Sequence, residues 1–198
     1  MTIFSCFDVE TTGLNAKNDH VIEIAIVKVT ADGELVDEWT SLVGPPRDLS
    51  RTEHIHNIKK EWLTNAPNFS QITGDICEKL YGSIPVAHNA KFDCDFIYEE
   101  TKKVFSMNGL KIDGLKLDAF DTLSLAKSLR LPRKLVELTD ALGIQLSNAH
   151  EALADTRALA KVLIKLLELS KNQVDSPVFQ PLPLVPESTG LFKHRPSS

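Results

Sequence analysis

Three apolar runs of strand length crowd into the first 43 residues, and they constrain the fold more than any other feature. They cover residues 2–9, residues 20–30, and a third stretch that follows the Ala31-Asp32-Gly33 turn signal and ends near Val43. Consecutive strands joined by short turns usually lie side by side, so a meander opens the fold. From residue 70 to 81 the apolar side chains return at helical spacing, and Ile84-Pro85-Val86-Ala87 is then too short for anything but a buried strand. Helical patterns follow over 89–106, 121–130, 134–142 and 150–171, with a short strand around 117–120. This order predicts an α/β fold, a mixed central β-sheet flanked by helices. A chain of 198 residues with 42% hydrophobic content suits one globular domain, here residues 1–172, with no internal repeat. Five of the ten prolines fall between Pro177 and the end, so residues 173–198 read as an extended, Pro-rich C-terminal tail.

The remaining composition narrows the chemistry. Cys6, Cys77 and Cys94 are odd in number and widely spaced, which offers neither a disulfide framework nor a zinc knuckle. A reducing cytoplasm is the expected setting. No stretch approaches the ~20 apolar residues of a membrane span, and Asp8 and Glu10 interrupt the N-terminal apolar run before it could serve as a signal core. The net charge of −5 argues against a broad basic surface, so any nucleic-acid contact is expected to be local and assisted by cations.

Four acidic residues, in three segments, stand where apolar residues belong. On a strand, residues two apart share a face, so Asp8 and Glu10 project together while Phe7 and Val9 face the other way. Two carboxylates in one small space are unfavourable unless a cation or a proton compensates, although a bare D-x-E also fits a strand edge whose acids face water. Asp93 follows His88-Asn89; with Asn89 as helix cap it lies in the first turns, on the side of Phe96 and Ile97, although an acid there equally fits one that complements the helix dipole. Asp155 continues the stripe of Leu159, Val162, Leu163 and Leu166 and therefore points inward, where a divalent metal is an economical partner. His150 stands five residues earlier, about 140° away on a helical wheel, so it converges on Asp155 only from at or before the helix start. Its ordinary pKa range suits a group that takes a proton from water, although a lone histidine before a helix also fits a cap or a surface residue.

Taken together and in order, F-D-x-E-T-T-G (7–13), H-N-x-x-F-D (88–93) and A-H-x-A-x-x-D (149–155) resemble the three signature motifs of the DnaQ-like, DEDDh-type 3′→5′ exonucleases. This is the family of the epsilon proofreading subunit of bacterial DNA polymerase III. The resemblance implies an RNase H-like fold, with Asp8, Glu10, Asp93 and Asp155 as ligands of two Mg²⁺ or Mn²⁺ ions and His150 as general base. It implies two-metal hydrolysis of the terminal phosphodiester with release of a nucleoside 5′-monophosphate. Ile55-His56-Asn57-Ile58 is similar to the family's I-H-G-I element near the terminal nucleotide, with Asn57 where glycine is usual. By the same resemblance Thr11, Leu14, Ile55, His56 and Phe92 line the substrate pocket, against a reading in which Leu14, Ile55 and Phe92 are core.

The motifs specify the reaction more narrowly than the substrate. DNA 3′ ends in proofreading or repair are the leading expectation; RNA 3′-end trimming is the alternative, and a non-catalytic scaffold that keeps the fold is the third. Gln180-Pro181-Leu182-Pro183-Leu184 and Leu191-Phe192 faintly resemble sliding-clamp-binding peptides, which would make the tail a tether to a polymerase or clamp.

Overall fold

The structure, a computed structural model, describes residues 1–45, 47–109, 113–145 and 151–171. Strands β1 (Ile3–Thr11), β2 (Val21–Thr30) and β3 (Leu35–Leu42) form the expected antiparallel meander. β4 (Ile84–Ala87) pairs parallel to β1, and β5 (Phe120–Asp121) parallel to β4, giving a mixed five-stranded sheet in the order β3-β2-β1-β4-β5. The strand expected at 117–120 is thus shorter and later. Leu117 and Ala119 pack on the core instead of joining the ladder, and only Phe120 and Asp121 pair with Val86 and Ala87.

Helices cover both faces. Phe7 and Val9 of β1, opposite Ile26 and Ile24 of β2, pack with α2 (Phe69–Leu80) and α3 (Ala90–Met107). Phe4 and Cys6, opposite Val29 and Val27, pack with Leu159, Ala160 and Leu163 of α6 (Ala152–Ser170). Two short helices, α4 (Thr122–Ser128) and α5 (Leu135–Ala141), build a further cluster against Val162 and Leu166 of α6. Arg157 of α6 also reaches Glu38 of β3 through two hydrogen bonds of 2.6 and 2.9 Å, which orients the helix across the sheet.

Two small elements absent from the sequence reading follow β3: α1 (Glu53–His56) and a 3₁₀ turn, Lys60–Leu63. They are too short for periodicity to reveal them. Leu49, Ile58 and Leu63 anchor them to Ile22 of β2. No helix among the described residues is long and apolar enough to cross a membrane.

Candidate active site

The site forms where β1 runs past the end of its pairing with β4. That pairing covers only Phe4–Cys6 against Ile84–Val86, so further along β1 one edge is free for side chains. Asp8 and Glu10 continue the face begun by Phe4 and Cys6, as two-residue spacing requires, and therefore look toward α6. Asp155, in the first turn of α6, meets them there. Asp93 arrives from the other side, in the first turn of α3, and its Oδ1 accepts the Val9 N–H at 3.1 Å, the backbone donor left open on that edge. Phe96 and Ile97 are buried on the same side of α3 as Asp93, as expected.

Electrostatics records the crowding. Burial, then Asp155 and Glu23, pushes the Asp8 carboxyl up to about 7. Burial and the charges of Asp8, Glu23 and Asp155 push Glu10 up to about 9. Asp93 is raised by burial and by Asp8, with the Val9 hydrogen bond pulling the other way. Among the described residues no three His, Cys, Asp or Glu side chains are already gathered to hold an ion. What fits a hard divalent cation is the donor chemistry: several carboxylates, half-buried or buried, whose mutual repulsion a cation relieves. His150 lies outside the described residues; the helix begins two positions after it.

Glu23 belongs to none of the three motifs, yet it stands beside these acids. It lies directly opposite Glu10 on β2, on the same face, and burial raises its carboxyl, while the Ala152 N–H at the start of α6 and the Thr40 hydroxyl stabilise its charged form. The available signal was an acid inside the run Val21-Ile22-Glu23-Ile24-Ala25, the same kind of interruption that singled out Asp8.

The expected cap of α3 is corrected. Asn89 adopts the left-handed region (φ 69°) and its side chain caps nothing. The N–H groups of Asn89 and Ala90 donate instead to Asp121 Oδ1, at 2.9 and 3.3 Å, so the end of β5 holds the helix that presents Asp93. A cap from a residue 32 positions away leaves no local sequence mark.

The candidate pocket residues separate into two kinds. Leu14 is 84% exposed and Ile55 47% exposed, which excludes the core reading for both. Phe92 is partly buried and stacks at a tilt on Phe96, with ring centroids 5.0 Å apart. Thr11 is buried, its hydroxyl donating to Gly13 O at 2.7 Å. His56 is also buried, and both ring nitrogens are engaged within the chain. The Ile58 N–H donates to Nδ1 at 3.0 Å, which leaves the proton on Nε2 to be donated to Thr52 Oγ1, and burial lowers the ring's pKa in keeping with that neutral form. His56 thereby braces the turn behind Ile55. Asn57 has φ 57°, the left-handed conformation for which glycine is the usual solution and asparagine the next best tolerated. Asparagine at this position thus adopts a backbone conformation that glycine also favours.

Comparison with known proteins agrees with this geometry. An exonuclease family model of the RNase T type matches residues 5–163. The PolC-type DNA polymerase III of Thermotoga petrophila is 37% identical over 172 residues, covering 85% of this chain and 12% of that protein. The Bacillus subtilis counterpart is 37% identical over 166 residues, covering 82% and 11%. The chain thus spans only about a tenth of the length of these curated relatives. Exonuclease X, solved in complex with 5′-overhanging duplex DNA, superposes with a TM-score of 0.62 at 26% identity over 86% of this chain and 93% of that one. The nuclease domain of 3′hExo, a DEDDh family member bound to rAMP, shares the fold at a TM-score of 0.69 and 15% identity, over 91% and 97%. With the family model spanning residues 5–163, most of its length, the chain belongs to the exonuclease family.

Proposed function

We propose that this chain is a divalent-cation-dependent 3′→5′ exonuclease that shortens DNA and releases nucleoside 5′-monophosphates. The observation that supports the reading is the mutual electrostatic influence of Asp8, Glu10, Asp93 and Asp155: Asp155 raises Asp8 and Glu10, and Asp8 raises Asp93. In this reading those four carboxylates hold two Mg²⁺ or Mn²⁺ ions. Bound there, the cations supply Lewis acidity and neutralise charge at the scissile phosphate. His150 takes the proton of the attacking water, and the positive charge it gains favours the developing anionic centre. Leu14 and Ile55 give the terminal nucleotide two apolar contacts, with Thr11, His56 and Phe92 shaping the walls behind them.

DNA is favoured over RNA by what the more similar relatives are. Proteins at 26–37% identity are named as a DNA polymerase or as an exonuclease in complex with duplex DNA, whereas the rAMP-bound neighbour stands at 15%. Residues 1–172 would be the catalytic unit. A polymerase or sliding clamp bound through residues 173–198 is a further proposal, and that tail lies outside the described residues.

The test is an assay of single-stranded and duplex DNA and RNA, labelled at either end, with Mg²⁺ and with chelator. DNA is expected to shorten from its 3′ end to mononucleotides only with the cation. His150→Ala should lower turnover by roughly 10²–10⁴-fold while leaving cation-dependent melting nearly unchanged. Digestion in chelator, digestion from the 5′ end, or near-normal turnover of the histidine variant would overturn this mechanism, and preferential shortening of RNA would overturn the substrate.

A further inference from the structure

The loop between β1 and β2 is organised around one buried carboxylate, that of Asp19. Its Oδ2 accepts the Asn15 N–H at 2.9 Å, and its Oδ1 accepts from the Thr12 hydroxyl at 3.4 Å and from Arg51 Nη2 at 2.6 Å. Arg51 Nη2 also donates to Thr12 O at 3.3 Å. A Cβ at Gly13 would collide with the same carboxylate, so the Thr-Thr-Gly turn closes onto Asp19 with no room to spare. The loop that carries Thr11 and the exposed Leu14 is therefore held by Asp19 from within.

Arg51 holds it from outside. This residue directly precedes Thr52, the N-cap residue of α1, whose hydroxyl meets the ring of His56 and so steadies the helix that exposes Ile55. One ion pair thus ties the segment bearing Leu14 to the segment bearing Ile55. The Asp19 side chain is 10% exposed and the Arg51 side chain 71%. A solvent-facing guanidinium adds little to folding, so its removal should leave the chain folded while loosening the tie.

We infer that the Asp19–Arg51 pair is a positioning staple: it sets the gap between the Leu14 loop and the Ile55 helix, and through that gap the fit of the 3′-terminal nucleotide. Neither residue need touch the substrate. The inference rests on the exonuclease reading and deepens it, because misplacing one pocket wall weakens binding before it touches the carboxylates.

Arg51→Gln, Asp19→Asn and the double variant, assayed on a matched DNA 3′ end, test it. Each single variant is expected to lose between roughly 10- and 100-fold in kcat/KM, mostly through KM, since small misplacements are felt at this scale. The double variant should lose no more than the more impaired of the two single ones, because both break the same tie. A direct contact of Arg51 with a phosphate predicts otherwise: Asp19→Asn would leave KM intact, and only Arg51→Gln would flatten the dependence of log KM on log salt. That pattern, additive losses, or an unchanged KM in both single variants would overturn the staple. Wild-type turnover in the same assay separates the two levels, since its absence would strike down the exonuclease reading itself.

Discussion

The two faces of β1 use the same backbone and the same neighbouring strand to opposite ends. On one face Phe7 and Val9 are buried among Ile24, Ile26 and the helices α2 and α3, and every side chain adds apolar burial. On the other, Phe4 and Cys6 begin an equally apolar face, and two residues later it turns to Asp8 and then Glu10. The acid face places carboxylates together in surroundings that raise both toward neutrality, at about 7 and about 9. The difference teaches where the fold spends its stability: one face holds the sheet together, and the other keeps an electrostatic tension that a cation can relieve.

The sharpest way to break the comparison is Asp155→Asn. It removes one charge from the acid face while keeping nearly the same shape. Turnover should fall by at least roughly 10³-fold, the scale of several kcal/mol of lost transition-state charge stabilisation. In chelator the variant should melt higher than wild type, and its stabilisation by added Mg²⁺ or Mn²⁺ should shrink. Thermal melts with and without cation, beside the activity assay, check both; an active variant that melts lower in chelator would make Asp155 an ordinary structural residue.

Phe7→Ala attacks the opposite face. Phe7 is fully buried, so truncation should lower unfolding free energy by about 3–5 kcal/mol, read from denaturant melts. What folded protein remains should keep its response to cations, because Phe7 points away from the acids. Loss of that response would mean that the faces are coupled.

A third test is the dependence of metal-free stability on pH. Asp8 and Glu10 have folded values of about 7 and about 9, above the ordinary values of ~3.9 and ~4.3. A raised pKa favours the protonated form in the folded state, so its stabilising contribution is full below pH ~4 and is lost as pH rises through 7 and then 9. In chelator, the melting temperature should therefore fall between pH 5 and 9. Asp8→Asn should flatten the lower part of that fall, Phe7→Ala should leave its slope alone, and saturating Mg²⁺ should suppress it. A melting temperature that rises over this range would show that these acids are not destabilising when ionised.

Much of this was legible along the chain. Alternation on β1 separated Asp8 and Glu10 from Phe7 and Val9, because strand geometry repeats every two residues whatever surrounds it. The apolar stripe of α6 likewise marked Asp155 as facing the sheet. Such features depend on local periodicity alone, and so does the antiparallel meander of β1–β3. The I-H-N-I segment is visible in the sequence, but the engagement of both His56 nitrogens is not, since its partners depend on how a four-residue helix closes.

By itself, then, the sequence determined the kind of sheet, the face on which each acid sits, and the family to which the three motifs belong. Only the tertiary structure decided that Asp93 would reach the Val9 amide, that Asp121 would cap the helix presenting it, that Glu23 would join the acids, and that Arg51 would close on Asp19. Each of these contacts joins separate segments of the chain. Periodicity fixes which way a side chain points within its own element, but the partner it meets depends on where a second element is packed, and that is set by the burial of the whole core.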